Sequence, residues 1–206
     1  LANQTYLKAI EAGADIIETN TFGANSLSQQ DYQLESLVYD MAYAGAKLAS
    51  EAVSEFQKTN PSKKDLWVAG SIGPTSKTAS MSPDVSDPAY RAVRFTDLQA
   101  AYREQVRGLL DGGADILLIE TIFDTLNCKA ACYAILEECT ERGVLFPIMV
   151  SGTITDASGR LLSGQTAKAF WHSLSSYPIF SIGFNCALGA KEMIGHLREI
   201  QDAPYR

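Results

Sequence analysis

The sequence predicts an α/β fold, a parallel sheet with helices outside it, and three observations carry that prediction. Short apolar runs bounded by turn residues alternate with longer segments of helical period. The pattern Gly-Ala-Asp-Ile occurs twice, at 13–16 and 113–116, and each copy runs through apolar residues into Glu-Thr (Glu18-Thr19 and Glu120-Thr121). No strand is followed by a GxGxxG turn or a P-loop. The strict alternation argues for parallel βα units, and the internal similarity favours an eight-stranded β/α barrel. An open doubly wound sheet is the alternative.

The chain opens on the end of a helix over 6–12, stopped by Gly13, and the first strand follows over 15–19. A polar loop, 20–26, leads to a long amphipathic helix whose apolar residues Leu34, Val38, Met41, Gly45, Leu48, Ala52 and Phe56 recur every three or four positions. Residues 57–65 (QKTNPSKKD) are a solvated loop, and 66–72 the second strand, ending in Gly73-Pro74-Thr75. Residues 76–94 carry three Ser/Pro/Asp clusters with no clear period, so a long functional loop is expected. A helix over 96–111 places Leu98, Tyr102, Val106 and Leu109 on one face. The third strand, 116–120, is a continuous apolar run ended by Glu120, as in strands buried on both faces. Then come a helix over 124–142, a strand over 146–152, a turn-rich loop over 153–164, a helix over 165–175, a strand over 179–185 and a last helix over 189–201. Five such units would need about three more strands to close a barrel.

At 206 residues the chain can bury one sizeable core, and residues 1–206 read as a single domain. A net charge of −7 argues against nucleic acid or an anionic membrane as the main partner. No apolar run approaches a membrane span, and no basic start precedes an apolar segment, so the cytoplasm is expected. Four cysteines do not make a disulfide scaffold. The chain begins at Leu1, mid-pattern, which suggests a fragment.

Ligands of either fold bind at the carboxyl ends of the strands. Those ends read Glu18-Thr19-Asn20, Ser71-Ile72-Gly73, Glu120-Thr121, Ser151-Gly152-Thr153 and Asn185-Cys186. They offer two carboxylates, hydroxyls, an amide and a thiol, but no base beside a nucleophile, so triad hydrolysis is not expected. His172 and His196 fall in outer helices and read as surface residues. Glu120 either pairs with a basic side chain at the rim or binds a cationic group such as a substrate ammonium; Glu18 carries the same ambiguity. Cys128, Cys132 and Cys139 share one helical face with Ala131 and Ile135, and read as core residues rather than ligands. Cys186, just past a strand, is either structural or a zinc ligand, and zinc would require further donors.

The blocks GADIIETNTF, GPTSKTASMSPDVSDPAYRAVRFTDL, GGADILLIETIFDTLNCKAA, PIMVSGTITDASGRLLSGQT and FNCALGA together resemble the homocysteine-binding domain of cobalamin-dependent methionine synthases, in order and over almost the whole chain. The resemblance implies a (β/α)8 TIM barrel, of which this chain is an incomplete fragment covering about strands two to six. It implies a zinc ion held by three cysteine thiolates, with Cys186 as one of them and the other two beyond this chain. It implies substrate binding by Glu120, with Asn185 in the matching Asn-Cys context, and Glu18 is a further substrate-binding candidate from its own strand-end position. The implied reaction is methyl transfer from methylcobalamin to homocysteine, giving methionine. Methyltetrahydrofolate is the implied ultimate donor, and both cofactors would sit on other domains of the same polypeptide. Two further readings stand beside this one: a non-catalytic barrel-type binding module, and an open-sheet enzyme for another small substrate. For an unclosed barrel, exposed strand edges imply poor stability and little or no activity in isolation.

Overall fold

A computed structural model describes residues 2–201 except 64, 156 and 157. Helix α1 (Ala2–Glu11) leads to strand β1 (Ile16–Glu18), then a short helix α2 (Ser26–Gln29), two 3-10 turns and the long helix α3 (Val38–Thr59). The chain continues through β2 (Trp67–Ile72), α4 (Phe95–Asp111), β3 (Ile116–Ile122), α5 (Thr125–Arg142), β4 (Ile148–Gly152), α6 (Ala167–Leu174), β5 (Ile179–Phe184) and α7 (Ala190–Gln201). No helix among the described residues is long and apolar enough to cross a membrane.

The sheet order is β1-β2-β3-β4-β5, every neighbouring pair parallel. That order decides between the two candidate architectures. A doubly wound sheet reverses direction and places strands out of sequence, whereas a barrel wall adds each strand beside the last. Right-handed crossovers then put every helix on the same side. The helices do pack neighbour on neighbour, α1 on α3, α3 on α4, α4 on α5, α5 on α6 and α6 on α7. The chain is five consecutive units of a (β/α)8 barrel.

Period-two alternation divides each strand between two faces. Ile17, Val68, Leu117, Ile119, Ile148 and Val150 are buried under the helices. The other face is divided along its length. At the amino ends of the strands it is apolar, a cleft of about 480 Å³ lined by Ile16, Trp67, Ile116, Phe146 and Phe180 among others. At the carboxyl ends it turns polar, through Glu18, Glu120, Ser151 and Asn185. Any polar chemistry is thereby confined to one end.

Helix α3 keeps part of the expected face, with Val38, Gly45 and Ala52 buried, and departs from it elsewhere. Leu34 lies before the helix, and it and Leu48 are exposed, while Ala42, Ala46 and Ala49 are fully buried. The reason is the closeness of α4. A Cβ placed on Gly108 would lie 2.6 Å from the Tyr39 carbonyl oxygen, and one on Gly112 2.5 Å from that of Tyr43. Only alanine on one helix and glycine on the other permit that approach, so the small residues rather than the leucines face inward. On α4, Leu98, Tyr102, Val106 and Leu109 are all fully buried, as their spacing predicts. The loop over 76–94 has no regular element but is tied to α5. Asn127 donates to the Thr75 hydroxyl and the Lys77 carbonyl and accepts from the Ala79 amide. Asp124, which caps α5 through the Leu126 amide, also accepts from the Ser80 amide.

Candidate functional site

The polar end of the open face holds a cleft of about 370 Å³, lined by Glu18, Glu120, Ser151, Phe184 and Asn185 among others. That size suits a small-molecule ligand. All five strands contribute side chains at this end, because each strand's last inward position falls at the same level of the parallel sheet. Strand β2 supplies Ser71, whose hydroxyl donates to Glu120 Oε1 at 2.5 Å. Strand β5 runs into Asn185, whose Nδ2 donates to Glu120 Oε2 at 3.4 Å and to Thr121 Oγ1 at 2.8 Å. Asn185 Oδ1 in turn accepts from the Thr121 amide at 3.1 Å and from Ser151 Oγ at 3.0 Å.

Ser71 is itself held by a buried polar network. Its amide donates to Thr19 Oγ1, and its carbonyl accepts from Thr21 Oγ1 and Gln105 Nε2. The two threonines of the Glu-Thr-Asn-Thr segment therefore fix the end of β2 rather than facing a ligand. Neither Ser71 nor Thr121 stands out in the sequence except by its strand-end position, and that position was the available signal.

Glu18 and Glu120 come together although 102 residues separate them. Partial burial pushes the Glu18 carboxyl up to about 7, and its hydrogen bond and charge interaction with Glu120 push the same way, while Ser71 opposes them. Burial and a neighbouring carboxylate both disfavour the ionised form of Glu18. Among the described residues no basic side chain forms an ion pair with either. Pairing with a basic residue at the rim, one of the two expectations for Glu120, is not what these residues do. The arrangement is an acidic pocket wall, chemically suited to a cation.

The backbone is strained at the same place. Thr121 has φ 56°, left-handed for a β-branched residue, and the β3–β4 register shifts between Ile119 and Ile122. Cys186 and Ala187 follow with φ 63° and 44°. Such conformations persist only where surrounding contacts impose them, and they gather at functional sites.

The cysteines separate as their positions suggest. Cys128 and Cys132 are fully buried, Cys139 nearly so, and Cys186 is exposed. The hydrogen bond with Cys132, together with burial, raises the Cys128 thiol well above its usual range, so it stays protonated, the opposite of a metal-binding thiolate. Zinc needs three or four N, S or O donors. Among the described residues no three His, Cys, Asp or Glu side chains gather to supply them. One exposed thiol at the strand end is what these residues offer, and that is not a zinc shell. His172 is exposed, and His196 meets Glu199 on α7 at 3.4 Å. Both belong to outer helices.

The family model for homocysteine S-methyltransferases matches residues 2–206. Three crystal structures of the homocysteine methyltransferase MmuM from Escherichia coli share the fold. The metallated form matches with a TM-score of 0.77 at 24% identity, over 96% of this chain. The oxidised form gives 0.76 at 24% and the apo form 0.71 at 23%, each over 97% of this chain. This chain spans 66% of the length of each.

Proposed function

The chain belongs to the homocysteine S-methyltransferase family, and from that premise we propose that residues 1–206 are one domain, a partial barrel that binds homocysteine for methyl transfer. The observation that supports this most is the pair Glu18 and Glu120 at the polar end of the open face, with no basic ion-pair partner among the described residues. An α-ammonium group brings the positive charge that the pair lacks. Charge-assisted hydrogen bonds to it are strong in a partly desolvated cleft. Glu120, gripped on one oxygen by Ser71 and on the other by Asn185, has a fixed direction and so orients the amino acid. Glu18, with its raised affinity for a proton, gives that proton up when the cation arrives.

The reaction proposed is attack by the homocysteine sulfur, as thiolate, on a methyl carbon. A carbon–sulfur bond forms, the bond from methyl to donor breaks with its electron pair left on the donor, and methionine results. The finer reading is a module of a cobalamin-dependent methionine synthase, acting in the cytoplasm. Methylcobalamin would be the immediate methyl donor and 5-methyltetrahydrofolate the ultimate one, both carried by other domains of the same polypeptide. In that reading Cys186 contributes one thiolate toward a zinc ion. Zinc would lower the pKa of a coordinated thiol. The remaining ligands would come from residues beyond this chain, and isolated residues 1–206 would transfer little or no methyl. The single thiol at the site also favours a second reading, a barrel-type binding module without chemistry of its own.

The test is made on the natural polypeptide carrying this chain, by metal content, homocysteine binding and methyl transfer from methylcobalamin. One zinc per chain, with zinc and transfer lost in Cys186→Ser and binding lost in Glu120→Gln, is the expected result. Homocysteine binding without zinc or transfer would favour the binding module. Absence of homocysteine binding would overturn both readings.

A further inference from the structure

We infer that Asn185 is a positioning residue, which fixes Glu120 for the substrate ammonium and makes no contact with substrate itself. The inference rests on the ammonium-binding reading of Glu120. Resemblance groups Asn185 with the substrate-binding residues, but its hydrogen-bonding capacity is already spent. A primary amide has two N–H donors and an oxygen with two lone pairs. Asn185 Oδ1 takes the Thr121 amide and the Ser151 hydroxyl. Its Nδ2 gives one hydrogen bond to Thr121 Oγ1 and one to Glu120 Oε2. The orientation of the amide is fixed by the Thr121 backbone N–H, which can only donate and therefore selects the oxygen. Nothing remains for a ligand.

Those four bonds have a mechanical sense. Asn185 holds Thr121 by backbone and side chain at once, which is what a left-handed β-branched residue requires to persist. Thr121 directly follows Glu120, and its conformation produces the irregularity after which Ile122 pairs with Gly152. Asn185 thus sets the backbone from which the Glu120 side chain departs. It also holds one carboxylate oxygen while Ser71 holds the other. Ser71 of β2 and Asn185 at the end of β5 thereby grip a carboxylate borne by β3, which lies between β2 and β4 in the sheet. Asn185 also directly precedes Cys186, so the same residue ties the position of the thiol to that of the carboxylate.

The experiment compares the affinities for homocysteine and for 4-mercaptobutanoate, the same chain without its amino group. Glu120→Gln should abolish the preference for homocysteine. Asn185→Ala should reduce that preference about tenfold and leave the affinity for 4-mercaptobutanoate within about twofold, while the double variant is no worse than Glu120→Gln alone, since one residue acts through the other. Asn185→Ser keeps a small polar side chain at the strand end but loses the donation to Glu120 without adding a charge, so it should lose the preference even where Asn185→Ala folds poorly. Equal loss for both ligands in both variants would make Asn185 merely structural, and additive losses in the double variant would place it on the substrate; either overturns the inference. If Asn185 variants keep the preference that Glu120→Gln loses, the inference falls and the ammonium reading stands. If Glu120→Gln keeps it, the ammonium reading falls and takes the inference with it.

Discussion

Binding of an amino acid at the Glu18–Glu120 pair should depend steeply on pH, with a sign and size set by the pair. In the free protein Glu18 holds its proton to about pH 7. It is then ionised in roughly one molecule in ten at pH 6 and roughly nine in ten at pH 8. The amino group of a free amino acid stays cationic over that span, so only the protein titrates. An ammonium binds the ionised pair, and its affinity should rise about tenfold from pH 6 to pH 8, with about one proton released per ligand at the lower pH. L-Methionine is the ligand of choice because it carries the ammonium without an acidic thiol. Calorimetric titration in buffers of different ionisation enthalpy reads affinity and proton release together. Glu18→Gln should bind more weakly at pH 8 and lose the pH dependence. Unchanged wild-type affinity between pH 6 and 8, with no proton released, would refute the argument from the raised Glu18 carboxyl. Stability carries the opposite sign. A carboxyl whose folded value is raised binds its proton more tightly in the fold, so this group's contribution is full below the ordinary carboxylate range and declines as pH rises through about 7.

Glu138, buried on α5, accepts from Arg103 at 2.9 Å and Arg107 at 3.1 Å and lies 3.5 Å from Arg142. Burial pushes its carboxyl up, but the arginines outweigh that and hold it below its usual value, so the stability it provides is present above the ordinary carboxylate range and lost as pH falls. Glu138→Gln should cost about 2–3 kcal/mol in urea unfolding near neutral pH and flatten the acid limb, the partly exposed arginines recovering part of their hydration. Gly108→Ala should destabilise by about 1–3 kcal/mol in the same assay, although alanine is the better helix former, because its Cβ meets the Tyr39 carbonyl. A gain in stability there would mean that α3 and α4 can separate at little cost.

The order of elements was determined by the sequence alone, because it is written in local periods. Apolar runs of four to six residues alternate with helical spacing, and Asp124 and Gly143 bound α5 by chemistry that needs no partner: a carboxylate cap and a left-handed glycine. The burial of Cys128, Cys132 and Cys139 followed from their shared face with Ala131 and Ile135. Glu120 and Cys186 were visible as polar residues ending apolar strands. What the tertiary structure decided is whatever depends on distance between segments. Internal similarity already favoured a barrel over a doubly wound sheet, and strand order, which no local period encodes, decided it. The inward face of α3 followed from the glycines of α4, some sixty residues away, because close approach rewards small side chains over large ones. The pairing of Glu18 with Glu120, and the commitment of Asn185 to Thr121, Ser151 and Glu120, exist only once parallel strands bring their carboxyl ends level. A carboxylate in a sequence has an ordinary affinity for protons, and one set beside another in a half-closed cleft does not.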